Sequence, residues 1–140
     1  MKLYICRKES LWSKIETEIQ DIIKEAREII DEIRNQCLDK SPNKANRRAF
    51  IKSIQQNKTK FYIDNFHEHF HKRPFADMGR RYSLIPCVFE LLQFTKEEPA
   101  YSKKSNYYFL GKSADDKMFK VVVRKEKTGY VLLTFFPVDK

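Results

Sequence analysis

Three histidines, the chain's whole complement, fall in the stretch Phe66-His-Glu-His-Phe-His-Lys-Arg-Pro74. His67-Glu68-His69-Phe70-His71 satisfies H-E-x-x-H, the pattern in which two histidines one helical turn apart hold zinc and the glutamate acts as base. A catalytic zinc also needs a third protein ligand. No histidine follows His71, so Glu90 or another carboxylate would have to serve. Lys72 and Arg73 come next in the chain, and cations beside a dication oppose its binding.

A metal-free chemistry uses those cations. Cleaving RNA through its own 2′-hydroxyl needs a base for that proton, an acid for the leaving oxygen, and positive charge on the phosphate. Histidine titrates near neutrality and serves as either base or acid, and arginine grips phosphate with a planar fork. His67 and His71 are the candidate proton-transfer groups, with Arg73, Arg81, Lys120 and Arg124 on phosphate and Thr134 orienting. Arg80 and Arg81 extend the binding surface, and Tyr107 and Tyr108 are candidates to stack on bases. No metal or cofactor is called for. The competing reading is a non-catalytic module that binds RNA or a protein partner, its histidines a solvated helix end.

The elements that must position these residues divide into two regimes. Trp12, Ile15, Ile19, Ile22, Ala26, Ile29 and Ile33 step by three and four, which predicts an amphipathic helix from Leu11 to Cys37. Ser10 is its candidate N-cap, Ser41-Pro42-Asn43 its end, and its charged outer face reads as solvated. A second helix is predicted from about Asn46, burying Phe50, Ile54, Phe61, Tyr62, Phe66 and Phe70, with Pro74 stopping it. After a connector containing Gly79, a short buried helix starts at Ser83 and ends before Pro99.

Beyond it, Tyr107–Leu110, Met118–Arg124 and Tyr130–Phe136 are β-branched and aromatic runs separated by turns, an antiparallel meander. Period-two alternation sends Phe119, Val121 and Val123 to one face and Lys120 and Arg124 to the other. The expectation is α+β: N-terminal helices followed by a small antiparallel sheet, in one domain with residues 1–45 as a helical extension and 46–140 as the core.

Charge adds a direction. Residues 1–40 carry 8 Lys/Arg against 9 Asp/Glu, residues 41–81 carry 10 against 3, and residues 82–140 carry 10 against 7. A basic middle third attracts polyanions, of which phosphate backbones are the usual kind. No apolar run is long enough for a membrane span, and the N-terminal LYIC is too short for a signal-peptide core, so a cytoplasmic protein without membrane attachment is expected. Cys6, Cys37 and Cys87 are odd in number and widely spaced, which reads as reduced, mostly buried thiols.

A His-bearing segment, basic residues, the helix SLIPCVFELLQF, the meander YYFLGKS and MFKVVVRKEKTGY, and a last strand ending LTFFP follow in that order. Over residues 60 to 138 this resembles the barnase-EndoU-colicin-RelE superfamily of small RNases, nearest its phage-associated and polymorphic-toxin branches. In that family the last strand commonly has Thr or Ser, a spacer, an aromatic and Pro, matched by Thr134, Phe135, Phe136 and Pro137; the aromatic is often Tyr, so Phe136 removes a hydroxyl. The resemblance implies a metal-independent toxin-type endoribonuclease acting on tRNA or mRNA and held by an antitoxin or immunity protein. It also implies a cleft formed by Lys120, Arg124, Thr134 and His67 or His71.

Overall fold

The computed structural model describes residues 3–13, 18–36, 48–54, 59–64, 66–96, 101–127 and 129–138. Strand β1 (Leu3–Ile5) is followed by a 3₁₀ turn (Leu11–Ser13) and helix α1 (Ile19–Gln36). Strands β2 (Phe50–Lys52) and β3 (Lys60–Tyr62), a 3₁₀ helix (Glu68–Lys72), α2 (Phe75–Ser83) and α3 (Ile85–Phe94) come next. The chain continues through β4 (Tyr101–Lys103), β5 (Asn106–Lys112), β6 (Met118–Glu126) and β7 (Gly129–Pro137).

The class is α+β, and β5, β6 and β7 form the expected antiparallel meander. The sheet around them is larger than expected and mixed. Its order is β1-β5-β6-β7-β3-β2, with β4 also on β5; β1 runs parallel to β5, and β3 parallel to β7. The helices are not segregated to the N-terminus either: strands precede and follow α1. Ile22, Ala26 and Ile30 of α1 lie in the same core as Phe109, Phe119, Val121, Val123 and Phe135 of the sheet.

The helix expected from Asn46 to Pro74 does not form. Residues 50–52 and 60–62 are strands, paired with Ile51 opposite Phe61, and β3 then docks on β7. Helical spacing of the aromatics was coincidental; the β-forming runs Phe-Ile and Phe-Tyr-Ile found strand partners, and pairing overrode the period. Gly129 carries the signature of that docking: a Cβ there would collide with the Lys60 carbonyl oxygen.

Pro74 starts a helix rather than ending one. It occupies the N-cap of α2, where its missing N–H and fixed φ cost nothing. The connector read around Gly79 is therefore helical. Glycine is required there by packing, since a Cβ would lie 2.8 Å from Ile19 Cγ2 of α1. Ser10 does not cap the first helix; its N–H and hydroxyl both donate to the Asp115 carboxylate, at 2.7 and 2.6 Å. Helix α3 matches the expected buried helix. The expectations for Ile15, Cys37, the 41–43 terminator, Asn46 and Pro99 lie outside the described residues.

Alternation in β6 is as read: Phe119, Val121 and Val123 are buried in the core, and Lys120 and Arg124 are on the opposite face. In β7 it breaks. Val122 pairs with Thr134 but Val123 with Leu132, so Leu133 is an extra residue. The bulge lets Leu132 and Phe135, three apart, both reach the core. Cys6 and Cys87 are buried and free. Among the described residues no helix is long and apolar enough to cross a membrane.

Candidate active site

Phe66 and Phe70 anchor the histidine segment. Both are buried, and both pack on Phe135 of β7, at ring distances of 5.7 and 5.4 Å. Between and after them the chain makes a 3₁₀ helix, not the last turn of an α-helix, with His67 at its N-cap. In a 3₁₀ helix residues three apart eclipse, so residues four apart no longer share a face. The α-helical premise of the H-E-x-x-H reading therefore fails. Glu90, its candidate third ligand, is buried and accepts from the Tyr4 hydroxyl and the Arg7 and Lys8 amides, at 2.8 to 2.9 Å. Among the described residues no three His, Cys, Asp or Glu side chains gather.

His71 meets α1 instead. Arg27, Asp31 and Arg34 follow one another at helical spacing of four and three, beside the buried stripe of Ile23, Ala26 and Ile30. Arg27 Nη2 donates to Nε2 of the exposed His71 at 3.0 Å. That contact leaves the His71 ring proton on Nδ1. His67 is half-buried, its Nδ1 3.0 Å from the Tyr82 hydroxyl of α2, and Arg27 lies 5.9 Å from the Tyr82 ring centre. Arg34 donates to the Asp64 carbonyl. Burial first, then the charges of Arg34, Arg27 and His71, push the His67 pKa down to about 4, against an upward pull from Asp31. The ring is neutral at pH 7, the form that accepts a proton.

The other expected site residues are arranged differently. Arg81 is 6% exposed and fully engaged: its guanidinium donates to Asp77 at 3.2 Å and the Phe135 carbonyl at 3.0 Å, reaches Thr134 Oγ1 at 3.5 Å, and lies over the Phe70 and Phe136 rings. It braces α2 against β7 rather than offering a free cation to a phosphate. Arg73 also pairs with Asp77, at 3.6 Å, and Arg80 is exposed.

Lys120 pairs across the sheet with Phe136, Thr134 with Val122, and Arg124 with Val131, on the side opposite Phe119, Val121 and Val123, where Arg81 of α2 nevertheless reaches Thr134 and Phe136; Arg124 also pairs with Glu126 at 3.7 Å. Tyr108 lies opposite Val122 on that same face, while Tyr107 packs edge-on against Tyr130, opposite Val123. Two groups therefore result. His67 and His71 sit in the helical layer with Arg27, Arg34 and Tyr82; Lys120, Arg124 and Tyr108 share the opposite sheet face with Thr134, whose hydroxyl Arg81 of α2 also reaches.

Arg27, Arg34 and Tyr82 were not among the residues singled out from sequence. The seven-residue interval between the arginines, flanking an apolar stripe, was the available signal. Comparison with models of protein families, with curated proteins and with solved structures finds no match.

Proposed function

We propose that the protein is a metal-independent endoribonuclease whose proton-transfer groups are His67 and His71, with Arg27 and Arg34 attracting the phosphate. The observation that carries this reading is the convergence of two histidines and two arginines from separate elements, with His67 held neutral. A neutral imidazole can take the 2′-hydroxyl proton. With its Nδ1 proton given to the Tyr82 oxygen, His67 presents Nε2 as that base. His71 serves as the donor to the leaving 5′-oxygen once its Nε2 has exchanged Arg27 for a solvent proton, so that the imidazolium gives one proton and returns to the neutral ring, and the arginines stabilise the charge that develops on the phosphate oxygens. The resemblance to toxin RNases supports the same reaction class and adds tRNA or mRNA as substrate and an antitoxin as partner.

The test is incubation of the purified protein with total RNA in excess chelator. Discrete fragments ending in 2′,3′-cyclic phosphate are expected, and intact RNA across several RNA classes would refute the proposal. One observation favours a second reading, a non-catalytic RNA-binding module: His67 and His71 each already have a ring nitrogen in an intramolecular hydrogen bond, and Lys120 and Arg124 stand on the other face of the sheet. Under that reading RNA is retained but never cut.

A further inference from the structure

Away from the histidines, a cleft of about 400 Å³ opens between the 3₁₀ turn at Leu11–Ser13, the junction of α2 and α3, and the turn joining β5 to β6. Its lining includes Trp12, Arg80, Ser83, Asp116, Lys117 and Met118. Its size falls in the range of small-ligand sites. We propose that this cleft binds one nucleotide of single-stranded RNA, the base against Trp12 and the phosphate between Arg80 and Lys117. The inference rests on the reading of the chain as acting on RNA, but not on its catalysis.

Three features carry it. The first is the tryptophan, the only one in the chain and 39% exposed although large and apolar. Its ring edge is seated on α2 at Gly79, where a Cβ would lie 3.3 Å from Cζ3, so the helix fixes it in place. An aromatic platform accepts any base, and such stacking is worth about ten- to a hundredfold in affinity per base.

The second is charge. Arg80 and Lys117 are exposed, and among the described residues neither pairs with a carboxylate. The two nearby acids are already engaged: Asp116, which itself lines the cleft, pairs with Lys112 at 3.0 Å, and Asp115 accepts from Ser10. Net positive charge is left at the rim, suited to phosphate.

The third is construction. The Ser10–Asp115 hydrogen bonds, together with the Ala114 amide donating to the Lys8 carbonyl at 2.9 Å, tie the segment bearing Trp12 to the turn bearing Lys117. The platform and one of its cations are thereby held together across more than 100 residues of sequence.

Because Trp12 is the sole tryptophan, its fluorescence reports on this cleft alone. Titration with the four ribonucleoside 5′-monophosphates should quench it saturably, while ribose 5-phosphate, which lacks a base, binds at least about tenfold more weakly. Arg80→Ala and Lys117→Ala should each weaken nucleotide binding about tenfold, with unchanged circular dichroism. Equilibrium dialysis of the same nucleotides with Trp12→Ala supplies a second readout. The proposal is overturned if no nucleotide is retained in dialysis by the unaltered protein. It is equally overturned if ribose 5-phosphate binds as tightly as the nucleotides, or if none of the three substitutions weakens binding. Nucleotide binding without RNA cleavage would count against the RNase alone; cleavage without nucleotide binding would count against the cleft alone.

Discussion

Lowering the pH should destabilise this protein through one identifiable ring. His67 has its pKa depressed from the ordinary 6.5 to about 4, chiefly by burial and next by Arg34 and Arg27. Above pH 6.5 the ring is neutral folded and unfolded, and it contributes no pH dependence. As pH falls from 6.5 towards 4, the unfolded chain binds a proton that the folded chain refuses, so stability drops across that window and levels off below it. At full strength the difference corresponds to about 3 kcal/mol, and solvent screening of a half-buried ring reduces it to roughly 1–2 kcal/mol. Urea unfolding of the parent and of His67→Gln, at about pH 7.5 and about pH 4.5, measures it. The parent should lose more stability than the variant over that interval by about that amount, with its His67 ring resonances titrating well below the ordinary 6.5 by NMR. Equal losses in the two proteins, or a His67 that titrates at its ordinary value, would refute the placement of this ring among arginines.

Gly129→Ala should cost roughly 2–5 kcal/mol, because φ is +156° and the new Cβ meets the Lys60 carbonyl; thermal unfolding checks it, and a cost below about 1 kcal/mol would remove β3 from its place beside β7. Arg81→Met keeps volume but leaves the Phe135 carbonyl without its donor, so a loss of about 1–3 kcal/mol is expected with RNA affinity little changed; an equally stable variant that binds RNA poorly would make Arg81 a contact residue instead. Arg27→Ala should weaken RNA binding and flatten its salt dependence by about 0.7 in log–log slope for each phosphate it no longer neutralises, whereas an unchanged slope would put the RNA elsewhere.

What could be read in advance was whatever depends on local pattern alone. The meander, the sorting of Lys120 and Arg124 away from Phe119, Val121 and Val123, and the buried helix after Ser83 all follow from alternation and helical period within one element. Features decided by a distant partner were not legible. Residues 50–62 have helix-like spacing, yet 50–52 and 60–62 become strands because β7 offers an edge. Gly79 looks like a linker and is a helix residue on which Ile19 and Trp12 pack. The unpaired Leu133 leaves no trace in an apolar strand. The same limit explains the site. His67 and His71 stood out by type, but their partners Arg27 and Arg34 lie on a helix face that reads as solvated, and only the packing of α1 against α2, which brings Arg27 to His71, reveals them.

The most direct test of catalysis by these histidines compares RNA cleavage rates, in chelator, for the parent, His67→Ala, His71→Ala and the double variant, alongside RNA binding and a thermal melt for each. A proton-transfer group contributes about a hundredfold to ten-thousandfold in rate and little to ground-state binding. Each single variant should therefore lose cleavage by at least about a hundredfold, with folding and binding retained. Cleavage at the parental rate in the double variant would contradict the assignment of His67 and His71 as the groups that move the protons.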